Sequence, residues 1–231
     1  MLRCLHCHSV FDDQRSRFSE LVASLQEVGQ FVDTSTCVEM AKGEAPIDGT
    51  YFHLSFDDGF KNNFTNARPV LSELDIPAIF FVPSNFISAE WADEHTYSRD
   101  ITGHAGVLEM MDWKNIAELV HDGFEIGSHT QTHARLTDLD GENLKREIFE
   151  SKLEIEERTG RACKYISWPY GGADDIQDEA LDLVKEAGYE ACFSGMRGTV
   201  QPNKTNLFRI PRHHFQPHWL PKHVHYFAYR Y

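Results

Sequence analysis

The sequence predicts an α/β fold in which strand and helix units alternate around a parallel sheet or barrel. Two observations point there. Short apolar runs of strand length recur along nearly the whole chain, and between them apolar residues return every three or four positions, as one face of a helix requires. A third observation concerns placement: several of the strand-like runs end abruptly in polar residues and tight turns, where parallel α/β folds carry their chemistry. The 231 residues, 41% of them hydrophobic, are enough to bury one core. One domain over residues 1–231 is therefore expected.

The strand candidates are residues 2–8, 51–56, 78–82, 124–127, 164–168, 189–193 and 207–211. The first helix shows Phe18, Leu21, Val22, Leu25 and Val28 at helical spacing, with Gly29 placed to end it. Phe64, Ala67, Val70, Leu71 and Leu74 repeat the pattern, and Pro69 must bend that helix or sit near its start. Asp112 caps a helix through His121 that carries Ile116, Leu119 and Val120 inward and stops at Gly123. Leu144, Ile148, Ser151 and Ile155 mark another, ended by Gly160. Asp174 or Asp175 starts the last, with Ile176, Ala180, Leu183, Val184 and Ala187 inward and Gly188 as its stop. Residues 84–111, with Trp91, His95 and His104, show no period and are expected to form a long loop over one end of the barrel.

Composition excludes some partners. With 22 basic against 36 acidic residues the formal charge is -14, which opposes a phosphate-neutralising nucleic-acid surface. No run approaches the ~20 apolar residues of a membrane span, and no basic-then-apolar leader follows Met1, so a cytoplasmic location is expected. The last 41 residues lack acidic side chains and hold Arg197, Lys204, Arg209, Arg212, Lys222 and Arg230 with Phe208, Phe215, Trp219, Tyr226, Phe227, Tyr229 and Tyr231. That segment either meets a membrane surface peripherally or packs its aromatics on the core. The five cysteines lack the spacing of a disulfide framework. Cys4-Leu5-His6-Cys7-His8 fits covalent haem attachment, but that chemistry needs export. A zinc site on Cys4 and Cys7 would need a second close pair, and Cys37, Cys163 and Cys192 are scattered, so both are read as strand residues.

Three segments carry candidate chemistry. Residues 51–56 end in Asp57, Asp58 and Gly59, and adjacent carboxylates repel unless a cation or proton separates their roles. One of them could equally cap the next helix. Residues 124–127 lead into His129 and His133, which share a face if the segment turns helically and could then reach one ion. Ser167-Trp168-Pro169-Tyr170-Gly171-Gly172 follows the next strand. There Trp168 and Tyr170 could wall a sugar-sized cleft, and backbone amides near Tyr170 could face an oxyanion.

Together these segments resemble the polysaccharide deacetylases of the NodB-homology type, carbohydrate esterase family four, over most of the chain. Ser55-Phe56-Asp57-Asp58-Gly59 is similar to the family's Thr-Phe-Asp-Asp-Gly motif, and His129 to His133 matches its His-x-x-x-His motif. The resemblance implies a distorted seven-stranded (β/α) barrel, Asp57 as general base, and a divalent metal on Asp58, His129 and His133, zinc first with cobalt or nickel as alternatives. The family's arginine before Pro-Tyr is replaced here by Ser167, and Arg212 in Pro211-Arg212 is expected to take over that brace. The usual late Leu-x-His acid is missing. His6-Cys7-His8-Ser9-Val10 resembles the N-terminal Tyr-His-x-Val strand of exopolysaccharide-type members, whose barrel is circularly permuted, so His8 is the first candidate acid, with His213 and His214 in reserve.

The implied activity is removal of an acetyl group from an N-acetylated sugar or polysaccharide precursor in surface-polysaccharide (O-antigen or capsule) biosynthesis, where a nucleotide- or lipid-linked carbohydrate would be the substrate of a cytoplasmic enzyme. The alternatives are a non-catalytic carbohydrate-binding relative and an amidohydrolase of small cyclic amides.

Overall fold

Alternation along the strands sorts the apolar side chains into two layers, and the chain order of elements follows from them. The first half runs β1 (Leu2–Cys7), α1 (Arg15–Gln26), β2 (Gln30–Phe31), α2 (Thr34–Lys42), β3 (Tyr51–Phe56), α3 (Arg68–Glu73) and β4 (Ile79–Val82). The second runs α4 (Trp91–Thr96), α5 (Trp113–His121), β5 (Glu125–Ser128), α6 (Gly141–Thr159), β6 (Tyr165–Ser167), α7 (Asp178–Glu186), β7 (Ala191–Phe193), β8 (Arg212–His214) and α8 (Pro221–Arg230). This computed structural model describes residues 1–230, with side chains as far as Tyr226. Of the basic aromatic tail, Tyr231 and the side chains of Phe227, Tyr229 and Arg230 lie outside the described residues.

The sheet order is β7-β6-β5-β4-β3-β1-β8, with β2 added beside the start of β3, and every ladder between these strands is parallel. The two edges meet through a parallel bridge between Phe193 and Ile210, where the Ser194 N–H donates to the Ile210 carbonyl at 2.8 Å. Seven strands thus form a nearly closed barrel, as the sequence resemblance implied.

Leu5, Leu54, Phe56, Phe80 and Val82 point outward beneath the helices, with Phe18, Leu21, Ile116, Leu119, Ile148 and Val184 covering them. Cys4, Ile79, Phe81, Tyr165, Phe193 and Ile210 point inward and meet Cys37, Val38, Met40 and Ala41 of α2. Each fully buried large side chain contributes roughly 1.5–3 kcal/mol, so both layers hold the barrel. Helix α2 plugs the end where the strands begin. Asp33 caps it by accepting from the Thr36 N–H at 2.7 Å, and Gly43 closes it at φ 76°.

Several expectations need correction. Residues 207–211 form no strand: Asn206 accepts from the Phe208 N–H and sets a 3-10 turn over Leu207–Arg209, so pairing with β1 starts only at Arg212. Asp174 and Asp175 lie in another 3-10 turn, because Asp175 accepts from the Gly172 N–H, and α7 begins at Asp178. Helix α1 ends at Gln26 and leaves Val28 exposed, while Gly29 leaves no room for a Cβ, which would lie 2.7 Å from the Phe52 ring. The stretch 84–111 does lie over the barrel, but it holds α4 and a π turn at Tyr97–Ile101. In the tail, Phe208, Phe215 and Trp219 pack on the core and Tyr226 is exposed, so most of the described aromatics serve packing. No helix among the described residues is long and apolar enough to cross a membrane.

Candidate active site

The ends of six strands converge on one cleft of about 560 Å³. His8 follows β1, Asp57 and Asp58 follow β3, His129 follows β5, Trp168 follows β6, Gly195 lies past β7, and His214 ends β8. All line the cleft at the carboxyl end of the barrel, where parallel strands deliver polar residues from separate loops. The backbone there is strained. Asp58, Thr130, His133 and Tyr170 have φ of 73°, 64°, 60° and 64°, a region that L-residues occupy only when their surroundings fix them.

Asp58, His129 and His133 form the first group. The Asp58 Oδ1 lies 3.5 Å from His129 Nε2 and 3.2 Å from His133 Nε2, and all three side chains are buried. His129 Nδ1–H donates to the Ser167 carbonyl at 2.7 Å, which fixes the tautomer and leaves the Nε2 lone pair facing Asp58. One carboxylate oxygen and two imidazole nitrogens within 4.8 Å of one another form a donor set that suits a divalent ion. Burial opposes the Asp58 charge, yet His8, His129 and His133 hold its carboxyl well below the usual carboxylate range.

The two histidines do not meet on a helix. Residues 129–135 form an irregular loop, and Glu147 on α6 secures it by accepting from the Gln131 and Thr132 N–H groups at 3.0 and 2.8 Å and from the Thr132 hydroxyl at 2.6 Å. Glu147 is buried and gives no local sequence signal, because its partners lie about four helical turns away in the chain.

Arg212 stands against Asp57. Its Nη1 and Nη2 donate to the two carboxylate oxygens at 2.8 and 2.7 Å, a bidentate pair buried from water. The remaining donors are also used: Nη1 to Ser55 Oγ at 3.0 Å, Nη2 to Ser167 Oγ at 2.6 Å and Nε to the Ser194 carbonyl at 2.8 Å. Burial works against the Asp57 charge, but Arg212 and then His129 hold its carboxyl below the usual range. Asp57 is therefore ionised at neutral pH.

His8, His6 and His214 form a triangle of rings 5.0–5.5 Å apart on the other side of Asp57. Burial, together with Arg212 and the neighbouring rings, pushes His6 well down. Burial and the His8 ring bring His214 to about 4, so His214 is neutral at pH 7 and a poor proton donor there. His213 points the other way along β8, toward the Gly198 carbonyl at 3.1 Å, and does not line the cleft. Its place as a reserve acid is therefore corrected by the alternation of the strand. Asn63 and Asn66 set the loop that carries His8, donating to the His8 and Val10 carbonyls at 2.9 Å each.

Aromatic residues after β6 line one side of the cleft. Trp168 is buried with its Nε1–H on the Gly172 carbonyl at 3.0 Å and presents an edge to the cleft. Half-exposed Tyr170 stacks under Arg135, whose guanidinium lies 4.2 Å from the ring centre and also pairs with Asp175. Pro169 is buried behind the wall and does not line the cleft. The opposite wall comes from the segment over the barrel: Ile101, Thr102 and His104 line the cleft, and the buried Tyr97 hydroxyl reaches Asp58 Oδ1 at 3.5 Å. Tyr97, Arg135, Asn63, Asn66 and Glu147 were not foreseen, since each acts across a long stretch of chain.

The family model for polysaccharide deacetylase matches residues 45–192, more than half of the chain. The poly-beta-1,6-N-acetyl-D-glucosamine N-deacetylase of Staphylococcus aureus is 26% identical over an alignment 185 positions long that covers 74% of this chain and 56% of that protein. The chain thus spans little more than half the length of this curated relative. Among solved structures, IcaB from Ammonifex degensii superimposes with a TM-score of 0.81 at 21% identity, covering 98% of this chain and 96% of that one. The Streptococcus pyogenes deacetylase PplD, in complex with acetate, gives 0.77 at 17% identity with the same coverage. The matched residues carry both acidic and histidine motifs of the cleft, and this chain belongs to the polysaccharide deacetylase family.

Proposed function

We propose that the chain is a metal-dependent deacetylase that hydrolyses the N-acetyl group of a hexosamine in a surface polysaccharide or its precursor. The observation that carries this reading is the juxtaposition, at one cleft, of an ionised carboxylate braced by Arg212 and a separate Asp-His-His donor set. The family and the S. aureus relative's printed activity support the substrate class.

Asp58, His129 and His133 would hold the ion, zinc first with cobalt or nickel as alternatives. When bound, such an ion supplies Lewis-acid polarisation of the acetyl carbonyl and a more acidic water. Asp57 takes the proton of the attacking water, and Arg212 keeps that carboxylate turned to the cleft rather than free to rotate. A backbone amide at Tyr170 donates to the oxygen that gains negative charge. His8 gives a proton to the amine nitrogen as the carbon–nitrogen bond breaks, so that acetate and a free amino sugar leave. Trp168 and the half-exposed Tyr170 wall the side of the cleft against which the sugar ring packs.

The test is acetate release from N-acetylglucosamine oligomers, nucleotide-linked and lipid-linked N-acetylhexosamines, using metal-stripped protein with zinc, cobalt or nickel restored. Metal-dependent acetate from oligomers alone assigns the polymer, and acetate from the linked monosaccharides alone assigns a precursor. Full metal loading with no acetate from any of them would refute the reading.

A further inference from the structure

The inward layer of the barrel holds a second set of donors that the acetyl chemistry does not use. Cys4 on β1, Cys37 on α2 and His53 on β3 each direct one donor atom to a common point, with all three atoms within 4.8 Å of one another. All three side chains are essentially inaccessible to solvent. The Cys4 and Cys37 sulfurs are 3.6 Å apart, against about 3.8 Å for two thiolates on a tetrahedral zinc. His53 is oriented from behind: its Nε2 pairs with the Thr34 hydroxyl at 3.1 Å, while its Nδ1 is buried with no hydrogen-bond partner. A ring nitrogen fixed by an outer hydroxyl, with its other nitrogen unpartnered among sulfurs, is the arrangement that histidine ligands adopt. Cys7 takes no part, because it faces the opposite layer of β1.

The geometry points to a second metal site, in which Cys4, Cys37 and His53 bind a thiophilic ion of the zinc or copper(I) class and tie α2 to the barrel strands. The ion takes the place of one proton on each sulfur, so binding a divalent ion releases two protons and leaves the donor set neutral overall. Arg212 pairs with Cys4 across the β1–β8 ladder, so its backbone stands directly beside this donor set. The site therefore lies one layer below the Asp57–Arg212 pair. Softness separates the two centres for copper(I), which thiolates select, whereas zinc suits both and the Asp58 set is all nitrogen and oxygen.

Cobalt(II) gives a readout specific to this site, because only a sulfur-bound ion shows the thiolate-to-cobalt charge-transfer band and the Asp58 set contains no sulfur. Protein produced in cobalt-supplemented medium and purified under reducing conditions is expected to show that band and to carry two equivalents of metal. Cys37→Ser should abolish the band and leave one equivalent, with deacetylase activity per catalytic metal unchanged. Asp58→Ala should keep the band and lose the other equivalent. If Cys37→Ser fails to fold, the spectrum and metal content of the wild-type protein still decide. Absence of the charge-transfer band, or its persistence in Cys37→Ser, would overturn the site. So would an unreduced intact mass lower by two hydrogens with no metal bound, since that marks a Cys4–Cys37 disulfide.

Discussion

The two ends of the barrel are built on opposite principles. At the carboxyl end the chain buries two carboxylates, several histidines and an arginine, and holds four non-glycine residues at positive φ. At the other end, α2 fills the opening with Val38, Met40 and Ala41, and apolar packing around the Cys4–Cys37–His53 cluster does most of the closing. The first arrangement is locally costly and persists because the surrounding hydrogen bonds over-determine it. The second is what a barrel needs in order to be stable at all. Reactivity and stability should therefore respond separately to substitutions at the two ends.

The largest separation is expected from Asp57→Asn. It removes the proton acceptor while keeping shape, and activity should fall by roughly 10²–10⁴-fold with metal content unchanged, read from acetate release and elemental analysis. Arg212→Met strikes both properties, because it leaves the Asp57 charge buried without a partner. A loss of about 3–5 kcal/mol in unfolding free energy is expected in denaturant melts, alongside loss of turnover. Met40→Ala sharpens the contrast from the plugged end: stability should fall by about 2–5 kcal/mol, while kcat of the folded fraction stays near wild type.

Acid provides a smaller and graded effect. Asp57 and Asp58 both titrate lower in the folded protein than in the unfolded chain, whose carboxyls titrate near 3.9. The stability they contribute is thus complete above about pH 4 and is lost as pH falls through their folded-state values. In metal-free protein, Asp57→Asn should flatten the fall in Tm below pH 4, and an unchanged acid limb would count against the Asp57–Arg212 pair as its source. The smallest effect is assigned to Tyr97→Phe, which removes only a hydroxyl 3.5 Å from Asp58 and should change kcat/KM by less than about tenfold.

The same contrast explains what the sequence made legible. Asp57, Asp58, His129, His133, Trp168 and Tyr170 each stand just after a strand, so a short local pattern reveals both the strand and its cargo. Arg212 instead opens its strand, and that strand was placed five residues early, because Pro211 and the turn at Asn206 are easily mistaken for the end of an apolar run. Helix α2 escaped notice because its β-branched and short residues have weak helix propensity, and its stability comes from the barrel that it plugs. Cys37 was scattered in sequence and is next to Cys4 in space. Glu147 and the Asn63–Asn66 pair act through backbone groups, which leave no signature in a side-chain pattern.

The most direct test of the central claim pairs two readouts on two proteins: acetate released and metal bound, for wild type and Asp57→Asn, after stripping and reloading with zinc on N-acetylglucosamine oligomers. The account predicts metal-dependent acetate from wild type and a rate roughly 10²–10⁴-fold lower from Asp57→Asn at equal metal content. Equal rates from both proteins, or turnover that survives removal of the metal, would contradict it.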